Sequence, residues 1–200
     1  EFKTPLTSIR GSVEILQTDW KEMSDADRER FIGIIEKDAL RMNRLVERLT
    51  ELTRVEAVGA TDEQTDLVPL LRELVASYQQ DDVPVSLQAD VACAHVLMAR
   101  DLAETLFVNL IDNAVRHAEA SQISVRIKEG PTVSVVDNGP GISEANLTKI
   151  FNRFFTTARD SGGTGLGLVM VQTIANAHGA KVSVTSDAHG SCFAVSFLKP

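Results

Sequence analysis

Leu6, Ile9, Val13, Leu16 and Trp20 recur at alternating intervals of three and four residues, the spacing of an apolar stripe along one side of a helix. Ser24 and Asp25 then offer N-caps, and Phe31, Ile35, Met42, Leu45, Leu49 and Leu52 carry the stripe on to about Val55. The chain is expected to open on a helical hairpin. Two helices cannot enclose both stripes. Closure comes from packing onto the rest of the same chain or from a second copy of the hairpin; the expectation is a homodimeric four-helix bundle built through Leu16, Met42, Leu45 and Leu49.

Gly59 to Gln64 is small, polar and without periodicity, which suits a linker. The expected organisation is therefore a hairpin over 1–58, a linker over 59–64 and a second domain over 65–200. In that domain Leu67, Leu70, Leu71, Leu74 and Val75 mark a helix with Pro69 in its first turn, where a missing N–H costs little. Val83, Val85 and Leu87 alternate with polar residues as a strand, and a long helix follows from about Arg100 to Ala118. Four further alternating segments read as strands: Ile123 to Lys128, Val133 to Asp137, Val182 to Val184, and Phe193 to Phe197 after a turn at His189-Gly190. The fold class is α+β: a helical hairpin, then an α/β two-layer sandwich.

Composition narrows the function. With 28 acidic against 20 basic residues and a net charge of -8, the chain lacks the cationic excess that binds a phosphate backbone, so no nucleic-acid partner is expected. Cys93 and Cys192 stand far apart with no neighbouring ligand residues and are read as small buried apolar side chains. No apolar run reaches the roughly 18 residues of a membrane span.

Three clusters carry candidate chemistry. Asn109 and Asn113 lie four apart on the long helix, so both amides leave one face a turn apart. They could ligate Mg²⁺ and meet phosphate oxygens, or form a polar surface pair. Asp137-Asn138-Gly139-Pro140-Gly141-Ile142 follows an apolar strand; the carboxylate could accept from an exocyclic amine such as that of adenine while the glycines let backbone approach a flat ring, or the segment could be only a turn. Gly162 to Leu168 leads into an apolar helix, and glycines there expose amides to an anion at the positive helix end. The run is neither a P-loop nor a dinucleotide fingerprint, and no protein-kinase Lys strand or His-Arg-Asp loop occurs. Between the last two clusters, Phe151-Asn152-Arg153-Phe154-Phe155 precedes a polar, Gly-flanked run that reads as a mobile lid anchored by aromatics.

In this order the clusters resemble the sensor histidine kinases of two-component signalling, across nearly the whole chain. Asn109 to His117 is similar to the N box, Asp137 to Ile142 to the first glycine box, Phe151 to Phe155 to the F box, and Gly163 to Leu168 to the second glycine box. The resemblance implies the Bergerat-type ATP fold shared with type II topoisomerases, Hsp90 and MutL, with ATP and Mg²⁺ as cofactors. By it Asn113 holds Mg²⁺, Asn109 contacts phosphate or metal, and Asp137 takes the adenine amine beside Gly139, Gly141 and Ile142. Gly163, Thr164, Gly165, Leu166 and Gly167 complete the nucleotide site. Arg116 and His117 stand where the family usually carries Lys and Tyr.

Glu1 to Gly11 resembles the H box, in which the phospho-acceptor His immediately precedes the residue matching Glu1. By that match Glu1 takes a proton from the imidazole and Thr4 orients water when such enzymes act as phosphatases. Pro5 is expected to bend the helix beside the acceptor. None of His95, His117, His178 and His189 is expected to replace that acceptor, so the chain as numbered should bind ATP without labelling itself. The implied function is transfer of the γ-phosphoryl of Mg-ATP to His and on to an Asp of a response-regulator receiver domain. The implied location is the cytoplasmic side of an inner-membrane sensor, attached to the membrane only through upstream segments. Two alternatives stand beside it: a non-catalytic nucleotide-binding dimerisation module, and a Bergerat-fold ATPase. Such ATPases carry a Glu where Asn109 stands, and an amide cannot serve as the base.

Overall fold

The computed structural model describes residues 2–57, 62–78, 84–117, 122–158 and 163–198. Glu1, Val83, Ala118 and Gly162, and with Gly162 the end of the expected lid, lie outside the described residues. The chain divides into two compact units, Glu1–Glu51 and Leu52–Pro200.

The first unit holds α1 (Lys3–Asp19) and most of α2 (Asp25–Ala57). Ser24 caps α2 as expected: its Oγ accepts from the Asp27 N–H at 3.2 Å and donates to the Asp27 carboxylate at 2.6 Å, a reciprocal arrangement that satisfies a donor of the first turn. Arg28 fastens the hairpin turn. Its guanidinium donates to the Trp20 carbonyl at 2.6 and 3.1 Å, pairs with Asp25 at 2.7 Å and lies 4.9 Å from the centre of the Trp20 ring. Pro5 lies on α1, where its ring leaves the backbone no N–H to donate.

Leu45, placed at the dimer seam by its spacing, is only 2% exposed within the chain. The apolar side chains left open are instead Leu6, Ile15, Trp20, Ile32, Leu40 and Val46. Successive helical residues point about 100° apart, so Val46 looks away from Leu45, and, one turn from both Met42 and Leu49, it widens the expected stripe on its open side.

The second unit begins with the end of α2, whose Leu52 and Val55 belong to its core. The change in packing thus comes before the change in composition. Next come β1 (Gln64–Asp66), α3 (Leu67–Ser77), β2 (Val85–Ala89), β3 (His95–Leu97), α4 (Arg100–His117), β4 (Ile123–Lys128), β5 (Thr132–Asp137), α5 (Glu144–Leu147), α6 (Gly167–Ala177), β6 (Lys181–Asp187) and β7 (Gly190–Ser196). The main sheet runs β2-β4-β5-β7-β6, with β2 parallel to β4 and the other pairs antiparallel. Leu106, Phe107, Leu110 and Ile111 of α4 are fully buried in the helical layer, together with Leu67, Leu70 and Leu71 of α3 and Val171 and Ile174 of α6. They meet Ile123, Val125, Val133 and Val195 from the sheet in one core. This is the expected two-layer sandwich.

Three short elements escaped the pattern reading. β1 and β3 form a separate antiparallel pair that takes in Gln64, expected in the linker, and His95; α5 is a single turn. The cysteine reading is corrected. Cys93 is exposed in the bend before β3, and Cys192 is half-buried because the alternation of β7 turns Ser191 and Phe193, not Cys192, into the core.

Candidate functional site

Strand alternation places the site. On β5, Val133, Val135 and Asp137 are the buried set, and on β7 the set is Ser191, Phe193 and Val195. Register pairs Val133 with Val195, Val135 with Phe193 and Asp137 with Ser191. Since every second residue shares a face, Asp137 and Ser191 stand on the core side of the sheet at its very end. There the core opens into a cleft of about 360 Å³.

Asp137 is 8% exposed, yet it forms no ion pair among the described residues. Its Oδ1 accepts from the Gly139 N–H at 3.0 Å and the Ser191 N–H at 3.2 Å. Both bonds fall on one oxygen, so Oδ2 keeps its acceptor capacity for whatever enters the cleft. The glycine loop forms the adjoining wall with Pro140, Gly141 and Ile142. Gly141 has φ +73°, and a Cβ there would stand 1.8 Å from the Asp187 carbonyl oxygen; only glycine permits the loop to lie so close to β6.

Asn113 lines the same cleft from α4. Asn109, one turn earlier, is 5% exposed, donates from Nδ2 to the Thr105 carbonyl at 2.8 Å and directs Oδ1 toward Gly167. That burial excludes a merely solvated pair of amides. Asp112 faces elsewhere and accepts from the Tyr78 hydroxyl at 2.6 Å.

The second glycine run is used differently from the first. Gly163 donates its N–H to the Ala158 carbonyl at 2.8 Å, and Gly165, at φ +69°, accepts from the Phe154 N–H at 2.9 Å. A Cβ on Gly165 would come within 2.4 Å of the Phe154 carbonyl carbon. Phe154 itself adopts φ +66°, a conformation costly for an aromatic residue and held by this docking. Among the described residues Gly163, Thr164, Gly165, Leu166 and Gly167 do not line the cleft. They seat the aromatic segment, whose Phe155 and following Thr156 and Thr157 do line it, and they lead into α6, whose second residue Leu168 reaches it too. Gly139, Asn109 and Arg116 also lie outside the lining set; Arg116 is exposed at the end of α4 beside His117. Thr4 is exposed on α1 in the other unit.

Sequence reasoning missed Ser191, Ser143, Asn146 and Ile150 as lining residues, and carried Leu168 only as the end of the second glycine run. The alternation of β7 could have singled out Ser191 as a polar residue at a buried position; the others depend on how α5 and α6 approach the sheet. The cleft offers one wall with a carboxylate and backbone, an apolar wall of Ile150, Phe155 and Leu168, and the Asn113 amide. A flat ring with an exocyclic amine and a polar tail fits those three surfaces. Among the described residues no group of three or more His, Cys, Asp or Glu gathers, and no helix is long and apolar enough to cross a membrane.

Comparison with known proteins agrees with this geometry. Residues 98–200 match the family model described as histidine kinase-, DNA gyrase B-, and HSP90-like ATPase, and residues 1–58 match the His Kinase A (phospho-acceptor) domain. The chain is 32% identical over 197 residues to the sensor histidine kinase YkoH of Bacillus subtilis, covering 93% of this chain and 42% of that protein. It is 30% identical over 196 residues to the signal transduction histidine-protein kinase AtoS of Escherichia coli, covering 93% of this chain and 31% of that protein. The histidine kinase ThkA, solved in complex with the response regulator protein TrrA, shares the fold at a TM-score of 0.72 and 22% identity, covering 100% of this chain and 59% of that one. The chain spans less than half the length of the curated relatives it matches. With a phospho-acceptor module on its hairpin and an ATPase-type module on its sheet unit, the chain belongs to the sensor histidine kinases.

Proposed function

We propose that the chain is the phosphotransfer core of a homodimeric sensor kinase, which binds Mg-ATP in the Asp137 cleft and passes the γ-phosphoryl to a His directly before Glu1. From there it goes to an Asp of a response-regulator receiver domain. The observation that carries the reading is the Asp137 carboxylate, anchored through Oδ1 alone at the buried end of β5. Its Oδ2 accepts the adenine amine, the glycine loop lies along the ring, and Leu168, Ile150 and Phe155 cover the apolar faces. The ribose and phosphates then extend toward α4 and the first turn of α6, whose free amides favour anions.

Asn113 is the hard oxygen donor suited to Mg²⁺, which keeps most of its shell as water and phosphate oxygens and needs few protein ligands. When bound, the metal offsets charge on the transferring phosphoryl group. Asn109, fixed by its bond to Thr105, stands behind that position. An amide there accepts no proton, which disfavours a water-splitting ATPase. Glu1 serves as the base for the acceptor imidazole, and Thr4, one turn along an exposed helix face, orients water for dephosphorylation of the regulator. The core works on the cytoplasmic side of an inner-membrane sensor, to which upstream segments attach it. The regulator is supported by the name of the ThkA complex, in which such a protein is bound.

Calorimetric titration with Mg-ATP tests the assignment. Asp137→Asn should weaken binding by about 1–3 kcal/mol, the usual loss for a hydrogen bond to a charged group. Asn113→Ala should abolish metal-dependent transfer in a chain extended upstream by its native residues. Unchanged affinity in Asp137→Asn removes the adenine role. An extended chain that binds ATP and acquires no acid-labile phosphate favours the non-catalytic module.

A further inference from the structure

Resting on that reading and extending it, we propose that Ser186 is a positioning residue of the nucleotide cleft, which through a single hydroxyl ties the glycine loop to the Asp137–Ser191 pair and sets the direction of the Ser191 hydroxyl. Ser186 belongs to none of the sequence clusters and does not line the cleft. It sits on β6 one residue before the Asp187 carbonyl that abuts Gly141. Its Oγ is 2.7 Å from the Ile142 amide nitrogen, 2.9 Å from the Gly190 carbonyl oxygen and 3.1 Å from the Ser191 Oγ.

Hydroxyl valence orders these contacts. A serine oxygen has one proton to give and two lone pairs to receive. The Gly190 carbonyl can only accept, so it takes the Ser186 proton; the Ile142 N–H and the Ser191 O–H then fill the two lone pairs. Every capacity of Ser186 is used. It follows that the single proton of Ser191 points to Ser186, and that Ser191 offers the cleft an acceptor. Ser191 is 7% exposed and its backbone N–H holds Asp137 Oδ1 at 3.2 Å. One half-buried hydroxyl therefore joins the loop that flanks the ligand to the strand that aims the carboxylate, and makes the polar end of the cleft accept rather than donate. That polarity suits a ligand edge bearing an amine.

Removing the hydroxyl has two consequences. The Ile142 amide loses its acceptor, which loosens the loop presenting Gly141 and Ile142. The Ser191 proton, released from Ser186, can turn toward Asp137 or the ligand and place a donor where an acceptor stood. A general loosening would weaken every nucleotide alike; loss of polarity weakens most the nucleotide that supplies the amine.

The test titrates the wild-type chain, Ser186→Ala and Ser186→Thr with Mg-ATP and with the Mg-bound triphosphate of purine riboside, which lacks the amine. Amide hydrogen exchange at Ile142 is followed without nucleotide. For Ser186→Ala the expected results are roughly tenfold weaker ATP binding, a several-fold smaller preference for ATP over the amine-free analogue, and faster exchange at Ile142. Ser186→Thr, which keeps the hydroxyl, should recover all three. An unchanged preference in Ser186→Ala, continued protection of its Ile142 amide, or failure of Ser186→Thr to recover would each overturn the proposal. If the wild-type chain binds neither nucleotide, the functional reading falls by itself, and Ile142 exchange in the two variants still decides whether Ser186 holds the loop.

Discussion

The two units close their apolar surface to very different degrees. The sheet unit leaves only Leu97 and Leu198 among its described large apolar side chains exposed, and its core residues from Leu67 to Val195 are largely sealed. The hairpin exposes six: Leu6, Ile15, Trp20, Ile32, Leu40 and Val46. A sheet covered by helices surrounds its interior with a single chain, whereas two helices side by side have more apolar perimeter than they can cover. The difference accounts for a division of labour. A nucleotide cleft needs walls held to fractions of an ångström, and these occur where burial is complete; an open apolar helix face suits association with another copy.

The largest effect should come from the sealed core. Phe107 is fully buried on α4 with its ring 6.4 Å from that of Phe197, and Phe107→Ala should cost the sheet unit about 3–5 kcal/mol through lost burial and the cavity left behind. Denaturant unfolding should show that loss, with ATP binding falling once the unit opens; a change within error would mean the helical layer is less tightly joined than its burial shows. Next, Leu40→Glu with Val46→Glu should oppose dimerisation by several kcal/mol, because charge would enter an apolar interface. Sedimentation should report a monomer whose ATP titration matches wild type. A persisting dimer would place the interface away from Leu40 and Val46. Smallest, Ser24→Ala removes the cap of α2 and should lower the thermal stability of the hairpin by about 1 kcal/mol, leaving the cleft untouched. Equal shifts in both units would contradict their separate packing.

Much of the site was legible because its chemistry is local. Asp137 at a strand end, glycines directly after it, and two Asn residues four apart are patterns within a few residues, and the structure brings Asp137, Gly141, Ile142 and Asn113 to one cleft. Ser186 was not legible, and Ser191 was legible only as a polar residue at a buried strand position. Their roles depend on strand register between β5, β6 and β7, and a serine at an alternate position in a strand carries no mark of which neighbour it will face. The second glycine run shows the opposite failure. Its pattern is conspicuous, but Gly163 and Gly165 are occupied in receiving Phe154 and Ala158, so its link to the cleft runs through the aromatic segment and Leu168.

The sequence alone determined the elements that depend on period and capping: the hairpin with its Ser24 cap, the buried α4, and the alternation that turns Asp137 inward. Those follow from the fixed geometry of helix and strand, which each residue expresses with its near neighbours. Only the tertiary structure decided which apolar face of α2 stays open, that Asn109 is buried while Asn113 meets the cleft, and which oxygen of Asp137 remains free to bind. Each of these is set by what arrives from a distant part of the chain. A side chain's own spacing fixes its direction from the backbone, but burial and hydrogen-bond partners belong to the surface it meets there.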